Sequence, residues 1–100
     1  MTTDYTQPST GFSYTIPNGT TLALIDPTGP LALGSITLPS SPADEDILTI
    51  ACSLSIALTN LYPNAGQILK NIFGALTFLP EGRSCAFYYK ASNSTWYRIG

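Results

Sequence analysis

The sequence predicts an all-β protein, a compact sandwich or barrel-like antiparallel domain built from short strands. Turn-forming clusters of Pro, Gly, Asn and Ser punctuate the chain at short intervals, and the runs between them are rich in Thr, Ile, Leu and Tyr. Apolar and polar residues alternate over the longest of these runs. Because the chain has 100 residues, we expect one domain.

The first eleven residues are polar and include Pro8 and Gly11. We therefore expect residues 1–11 to be an extended N-terminal arm outside the core, and residues 12–100 to form the single β-domain. The predicted strands are Phe12–Ile16, Thr20–Ile25, Leu31–Leu38, Asp46–Leu58, Ala75–Leu79, Arg83–Ala91 and Thr95–Ile99.

The run Asp46–Leu58 carries the clearest alternation, with Leu48, Ile50 and Cys52 on one parity. It is long for one strand, so a bend is expected at residues 53–55. The segment 66–74 differs, because its apolar residues recur at helical spacing between Gly66 and Gly74. One short helical turn is expected there.

The two cysteines, Cys52 and Cys85, both fall in predicted strands. Two buried thiols that pack as small apolar side chains are the favoured interpretation. A disulfide between neighbouring strands is the alternative.

The charge pattern argues against nucleic acid as a partner. The formal net charge is −2, and the four cations, Lys70, Arg83, Lys90 and Arg98, are scattered. No apolar run reaches the length that crosses a bilayer, so no membrane partner is expected either. The N-terminus lacks the features of a signal peptide, which predicts synthesis and folding in a cytoplasm.

The sequence offers little for catalysis, since histidine is absent and no phosphate-binding glycine loop is present. Two cysteines without histidine do not make a metal site. We therefore expect no enzyme and assign no catalytic, cofactor-binding or metal-binding residue.

The C-terminal aromatic residues have two interpretations. In the first, Phe87 and Trp96 fill the core while tyrosines cover its edges. In the second, Tyr88, Trp96 and Tyr97 form an exposed platform that stacks on sugar rings. Aromatic residues in strands are usually buried, which favours the first interpretation.

Two stretches carry a family resemblance. "GSITLPSSPADEDILTIAC" resembles the ITLP–x–x–P–x–D start of small domains found in bacteriophage capsid decoration (cement) proteins and head- and tail-fibre knobs. "SCAFYYKASNSTWYRIG" resembles their closing hairpin, an A–x–F–x–Y strand followed by a loop and W–x–R–I. The resemblance covers Thr20 to Gly100. Glu45 departs from it, because it stands where the family's P–x–D–G has glycine, and the helical spacing over residues 66–74 departs as well.

The resemblance implies a compact, usually trimeric β-domain that serves virion architecture or receptor contact. The chain begins at Met1 and carries neither a shaft nor coiled-coil heptads. We therefore expect a structural protein on the capsid surface of a tailed phage, a homotrimer whose partner is the major capsid protein. The arm supplies the capsid-contact candidates Thr2, Thr3, Asp4, Tyr5, Thr6, Gln7 and Pro8. The alternative is a fibre knob that binds a host glycan through Tyr88, Trp96 and Tyr97.

Overall fold

The computed structural model describes residues 2–29, 32–70 and 78–100, and within these ranges the regular secondary structure is β-strand apart from one 3₁₀ turn. The prediction of an all-β domain is confirmed. The elements are β1 (Thr3–Thr6), β2 (Phe12–Thr15), β3 (Leu22–Ile25), β4 (Ala32–Thr37), β5 (Ile47–Cys52), β6 (Ile56–Tyr62), β7 (Ile68–Lys70), β8 (Phe78–Leu79), β9 (Ser84–Lys90), a 3₁₀ turn (Ala91–Asn93) and β10 (Thr95–Arg98).

The strands form two sheets, and the chain alternates between them from β1 to β8. The six-stranded sheet has the order β1-β3-β5-β9-β10-β7, and the four-stranded sheet has the order β2-β4-β6-β8. Strands β1, β3 and β5 run parallel to each other, as do β2, β4 and β6. The first six strands therefore form a flattened coil with one sheet on each side.

The expectation of an antiparallel domain is wrong for this coil. Alternation along a strand reports which side chains are buried, and it is the same whether the neighbouring strand runs parallel or antiparallel. Parallel strands need a long connection, and here each connection contains a strand of the opposite sheet. The pairing of Thr3 with Leu22 and of Leu22 with Thr49 shows how far apart in sequence such partners lie.

Antiparallel pairing closes the fold at its C-terminal side. Strand β9 lies between β5 and β10 and is antiparallel to both, while β8 is antiparallel to β6. Strand β7 joins the outer side of β10 in parallel orientation. The predicted terminal hairpin is therefore present, and it is inserted beside the coil as part of the larger sheet.

One core lies between the two sheets. The six-stranded sheet contributes buried residues such as Ile50, Phe87 and Trp96, and the four-stranded sheet contributes Ile36 and Ile56. The buried parities of β5 and β9 are those that the sequence predicts. Burial of these side chains supplies the main favourable free energy of folding.

The long predicted strand Asp46–Leu58 bends where expected. Strand β5 ends at Cys52, and β6 begins at Ile56 in the other sheet, so the bend carries the chain across the sandwich. The helical turn expected near 66–74 is wrong for Ile68–Lys70, which is β7. Edge pairing with β10 overrides the local helical spacing there. The rest of that segment, and the start of the predicted strand Ala75–Leu79, lie outside the described residues.

The N-terminal arm also needs correction. Residues Thr3–Thr6 form β1, which pairs in parallel with β3 at the edge of the six-stranded sheet. Backbone N–H and C=O groups of β1 bond to β3, whereas those of an isolated arm would bond to water. Its side chains are exposed or partly buried, and the buried core of the described residues begins at Ile16.

Candidate interaction surfaces

The aromatic residues of the terminal hairpin divide between the two faces of the six-stranded sheet. Trp96 is 1% exposed and packs on Tyr89, with ring centroids 5.0 Å apart and planes inclined by 54°. Tyr88 and Tyr97 lie opposite each other on β9 and β10, on the outer parity, and are half-buried. The proposed glycan platform of three aromatic residues is therefore not assembled, because Trp96 faces the core while the two tyrosines face outward.

Gln67 connects the hairpin to the coil. Trp96 Nε1 donates a hydrogen bond to Gln67 Oε1 at 3.0 Å, and Gln67 Nε2 donates to the carbonyl oxygen of Pro39 at 2.9 Å. The nearby Asn64 donates through Nδ2 to the carbonyl oxygen of Leu38 at 3.1 Å. These amides satisfy loop carbonyl groups beside the core, which would otherwise be costly to bury. Gln67 was not among the predicted site residues, since no local pattern marks it.

A second polar cluster lies where parallel strands of the six-stranded sheet end. Thr6, Ile25 and Cys52 pair in one row, so the residues that follow them occupy the next row. The carboxylate of Asp26 accepts hydrogen bonds there from Ser53 Oγ at 2.5 Å and from Gln7 Nε2 at 3.3 Å.

Tyr5 also donates its hydroxyl hydrogen to Asp26. The hydrogen bonds from Ser53 and Tyr5 lower the pKa of Asp26, and the same contact with Asp26 raises the pKa of Tyr5. Asp26 was missed as a site residue. Its place directly after the predicted strand Thr20–Ile25 is the signal that could have identified it.

The capsid-contact candidates are all found in or beside β1. Tyr5 and Gln7 bind Asp26, and Asp4 accepts a hydrogen bond from Tyr14 of β2. Burial and this contact with Asp4 raise the pKa of Tyr14. The remaining candidates bind through the backbone, namely Thr2 to Thr21, Thr3 to Leu22 in register, Thr6 to Asp26 and Pro8 to Thr28.

The two groups of site candidates lie apart. Strands β3, β5 and β9 separate β1 from β10 in the sheet. Four inter-strand spacings correspond to about 19 Å. The N-terminal segment and the tyrosine pair therefore constitute two distinct surfaces.

Large apolar side chains are exposed on the outer faces of both sheets. On the six-stranded sheet, Ile47, Tyr88 and Tyr97 form one row of register partners that ends at Lys70. Among the described residues, the large apolar side chains with the greatest exposure are Tyr5, Ile47, Ile68 and Ile99 in or beside this sheet, and Leu33, Tyr62 and Phe78 in the other. Only 10% of the residues are charged, so both faces resemble interaction surfaces more than ordinary solvated ones.

Both cysteines are free thiols, and both are buried. Ile50 is the register partner of Cys85, so Cys52 lies two residues further along β5, in a diagonal position. Diagonal neighbours lie further apart than disulfide geometry prefers. Burial raises the pKa of Cys52, and it raises the pKa of Cys85 to about 11.

Within the described ranges, no three His, Cys, Asp or Glu side chains come together as metal ligands would. The same part of the chain contains no helix with the length and apolar character to cross a membrane.

No protein-family model matches the chain. No curated protein matches it either. The resemblance to phage decoration and fibre domains therefore rests on the two sequence motifs.

The loop that contains Glu45 bears on the first of these motifs. Glu45 has a φ of 65°, in the left-handed region that favours glycine. Its N–H donates to the carbonyl oxygen of Tyr89 at 2.8 Å, which ties the loop to the terminal hairpin. In the P–x–D–G motif, glycine occupies this position. The loop therefore has the left-handed backbone conformation that a glycine there would adopt without strain.

Proposed function

We propose that the chain is a structural virion protein of a tailed bacteriophage, which decorates the capsid exterior as a homotrimer. The observation that carries the proposal is the pair of apolar outer faces on a weakly charged domain. Such faces are favourable when neighbouring protein covers them and unfavourable when they stay in water. The left-handed Glu45 supports the family resemblance from which the phage setting comes.

The major capsid protein is the second proposed partner. Strand β1 pairs with β3 along one side, and no other described strand pairs with it. Its second side presents backbone hydrogen-bonding groups beside the exposed Tyr5. A capsid strand that pairs there would extend the sheet, as in other cases of β-strand addition. The role assigned to the chain is one of packing and contact, without catalysis.

A reconstruction of the intact particle tests this function. We expect density for the domain on the outer shell at local three-fold positions, with β1 nearest the capsid floor. Light scattering of the purified chain should give three times the monomer mass. A particle without the domain at these positions, or a monomer at every concentration, would contradict the proposal.

The tyrosine pair supports a second candidate function, a fibre knob that binds a glycan. Tyr88 and Tyr97 are neighbours on the outer face, and Asn93 Nδ2 donates to the Tyr97 hydroxyl at 2.9 Å. Two neighbouring tyrosines beside an amide can bind a sugar without Trp96. A glycan array tests this function with Tyr97→Ala as the probe and Tyr62→Ala, on the other sheet, as the control. Binding that only Tyr97→Ala abolishes would favour the knob.

A further inference from the structure

The β1 segment occupies a site that is built almost entirely from polar contacts. Thr2 N donates to Thr21 Oγ1 at 2.8 Å, and Asp26 N donates to the carbonyl oxygen of Thr6 at 2.8 Å. The side chains of Tyr5 and Gln7 add their bonds to Asp26. Because none of residues 2–7 belongs to the buried core, the segment can leave this site without opening the core.

The link between β1 and β2 has the composition of a hinge. Residues 8–11 form it and include Pro8 and Gly11, whose φ is +86°. Proline favours extended backbone in the residue before it, and glycine tolerates the left-handed turn. Four extended residues span up to about 14 Å, which reaches a subunit in direct contact.

We infer that β1 is exchanged between copies of this chain, so that the β3 edge of each subunit receives residues 2–7 of its neighbour. The contacts at the β3 edge identify the segment that would fill it. A neighbouring copy brings the same Asp4, Tyr5 and Gln7, which would make the same bonds to Tyr14 and Asp26. Other strands would pair with the backbone of β3 and leave the Asp26 carboxylate and the Tyr14 hydroxyl without these partners.

Exchange connects the subunits at little cost, because the contacts of β1 are identical within one chain and between chains. The equilibrium between monomer and exchanged oligomer is then set by the contacts that neighbouring subunits gain, such as those of the apolar outer faces. Passing the strand around a closed ring would produce the trimer, so this inference rests on the proposed assembly and specifies how the subunits are connected.

Mixed disulfide formation tests the exchange. Thr3 and Leu22 are register partners, on the outer parity of β1 and β3, and opposite positions in paired strands are close enough for a disulfide. Thr3→Cys and Leu22→Cys are made as separate chains, refolded together and oxidised mildly. Exchange predicts a covalent dimer that contains one chain of each kind, detected by non-reducing electrophoresis and mass spectrometry. Each single variant alone is the control and should stay monomeric on the gel.

The double variant carrying both substitutions is the matched control for the register. It should form covalent oligomers if β1 is exchanged, and monomers with an internal disulfide if it is not. A mixture that yields no mixed dimer would overturn the inference, and so would a double variant that gives only monomers with an internal disulfide.

Light scattering of the unsubstituted chain separates this inference from the proposed function. An oligomer without mixed disulfides would refute the exchange and leave the assembly standing. A monomer would refute both.

Discussion

The coil of β1–β6 and the terminal hairpin of β9 and β10 have the same kind of sequence pattern but pair their strands in different directions. Both have alternating apolar residues, yet the coil strands are parallel and change sheets, whereas the hairpin strands are antiparallel neighbours. In the hairpin, only four residues join the partners, the 3₁₀ turn Ala91–Asn93 and Ser94. In the coil, each partner lies one full circuit away. The comparison shows that alternation determines burial, while the length of the connection determines which strands pair.

This difference explains what could be predicted from the sequence. The hairpin, the buried parities of β5 and β9 and the bend after Cys52 follow from local patterns, and the structure has all three. The parallel pairing does not follow from such patterns, because the register of Thr3 with Leu22 depends on two turns and an intervening strand.

The same reasoning applies to the candidate site residues. The outward position of Tyr88 follows from its parity relative to Cys85, whereas the inward position of Trp96 depends on its register with Tyr89 across the turn. Asp26 and Gln67 act through partners that are distant in sequence, so no spacing within one strand identifies them. The pairing of β1 was missed because its edge position leaves its side chains as polar as those of a free arm.

Removing the hairpin's central side chain should have the largest effect. Trp96 is almost fully buried against Tyr89. We expect Trp96→Ala to lower the free energy of unfolding by about 3–5 kcal/mol, measured by urea denaturation. Trp96→Phe retains most of the packing and loses the bond to Gln67, so it should cost about 1 kcal/mol plus a modest packing loss. Equal effects of the two variants would show that Trp96 is not packed as described.

Adding one methyl group should disturb the coil specifically. A Cβ at Gly34 would lie 2.4 Å from the ring of Phe12, its register partner on β2. We expect Gly34→Ala to cost about 1–3 kcal/mol of stability through this overlap. The double variant with Phe12→Ala should lose less stability than the two single variants lose together, because truncation removes the obstructing ring. If the two losses of stability simply add, Phe12 and Gly34 are not in contact.

Alkaline pH should weaken the hairpin side of the core. The pKa of Cys85 is raised from 9.0 to about 11 by burial. The native state therefore keeps its proton over a range in which the unfolded chain loses it. Stability is full below pH 9 and falls as the pH rises toward 11, by up to about 3 kcal/mol. Urea denaturation at several pH values should show this decline, and Cys85→Ala should flatten it. If stability falls equally steeply with pH in Cys85→Ala, the decline comes from other groups, such as Tyr14.

Relieving the left-handed residue in the connecting loop should give the smallest change, and it should be a gain. Glu45 has a φ of 65°, which costs a residue with a Cβ about 1 kcal/mol relative to glycine. Glu45→Gly should therefore raise the free energy of unfolding by up to about 1 kcal/mol. Glu45→Ala, which removes the charge and keeps the Cβ, is the control and should not stabilise. A stabilising Glu45→Ala would attribute the gain to charge.

The direction of the coil strands is the claim on which the comparison depends, and amide-proton NMR of the folded chain tests it most directly. We expect cross-peaks across β3 and β5 between Leu22 and Thr49 and between Leu24 and Ala51, in the progression of a parallel pair. Strands β9 and β10 should instead give the close Hα–Hα contacts of an antiparallel pair. Antiparallel contacts between β3 and β5, or a complete lack of contacts between them, would contradict the account.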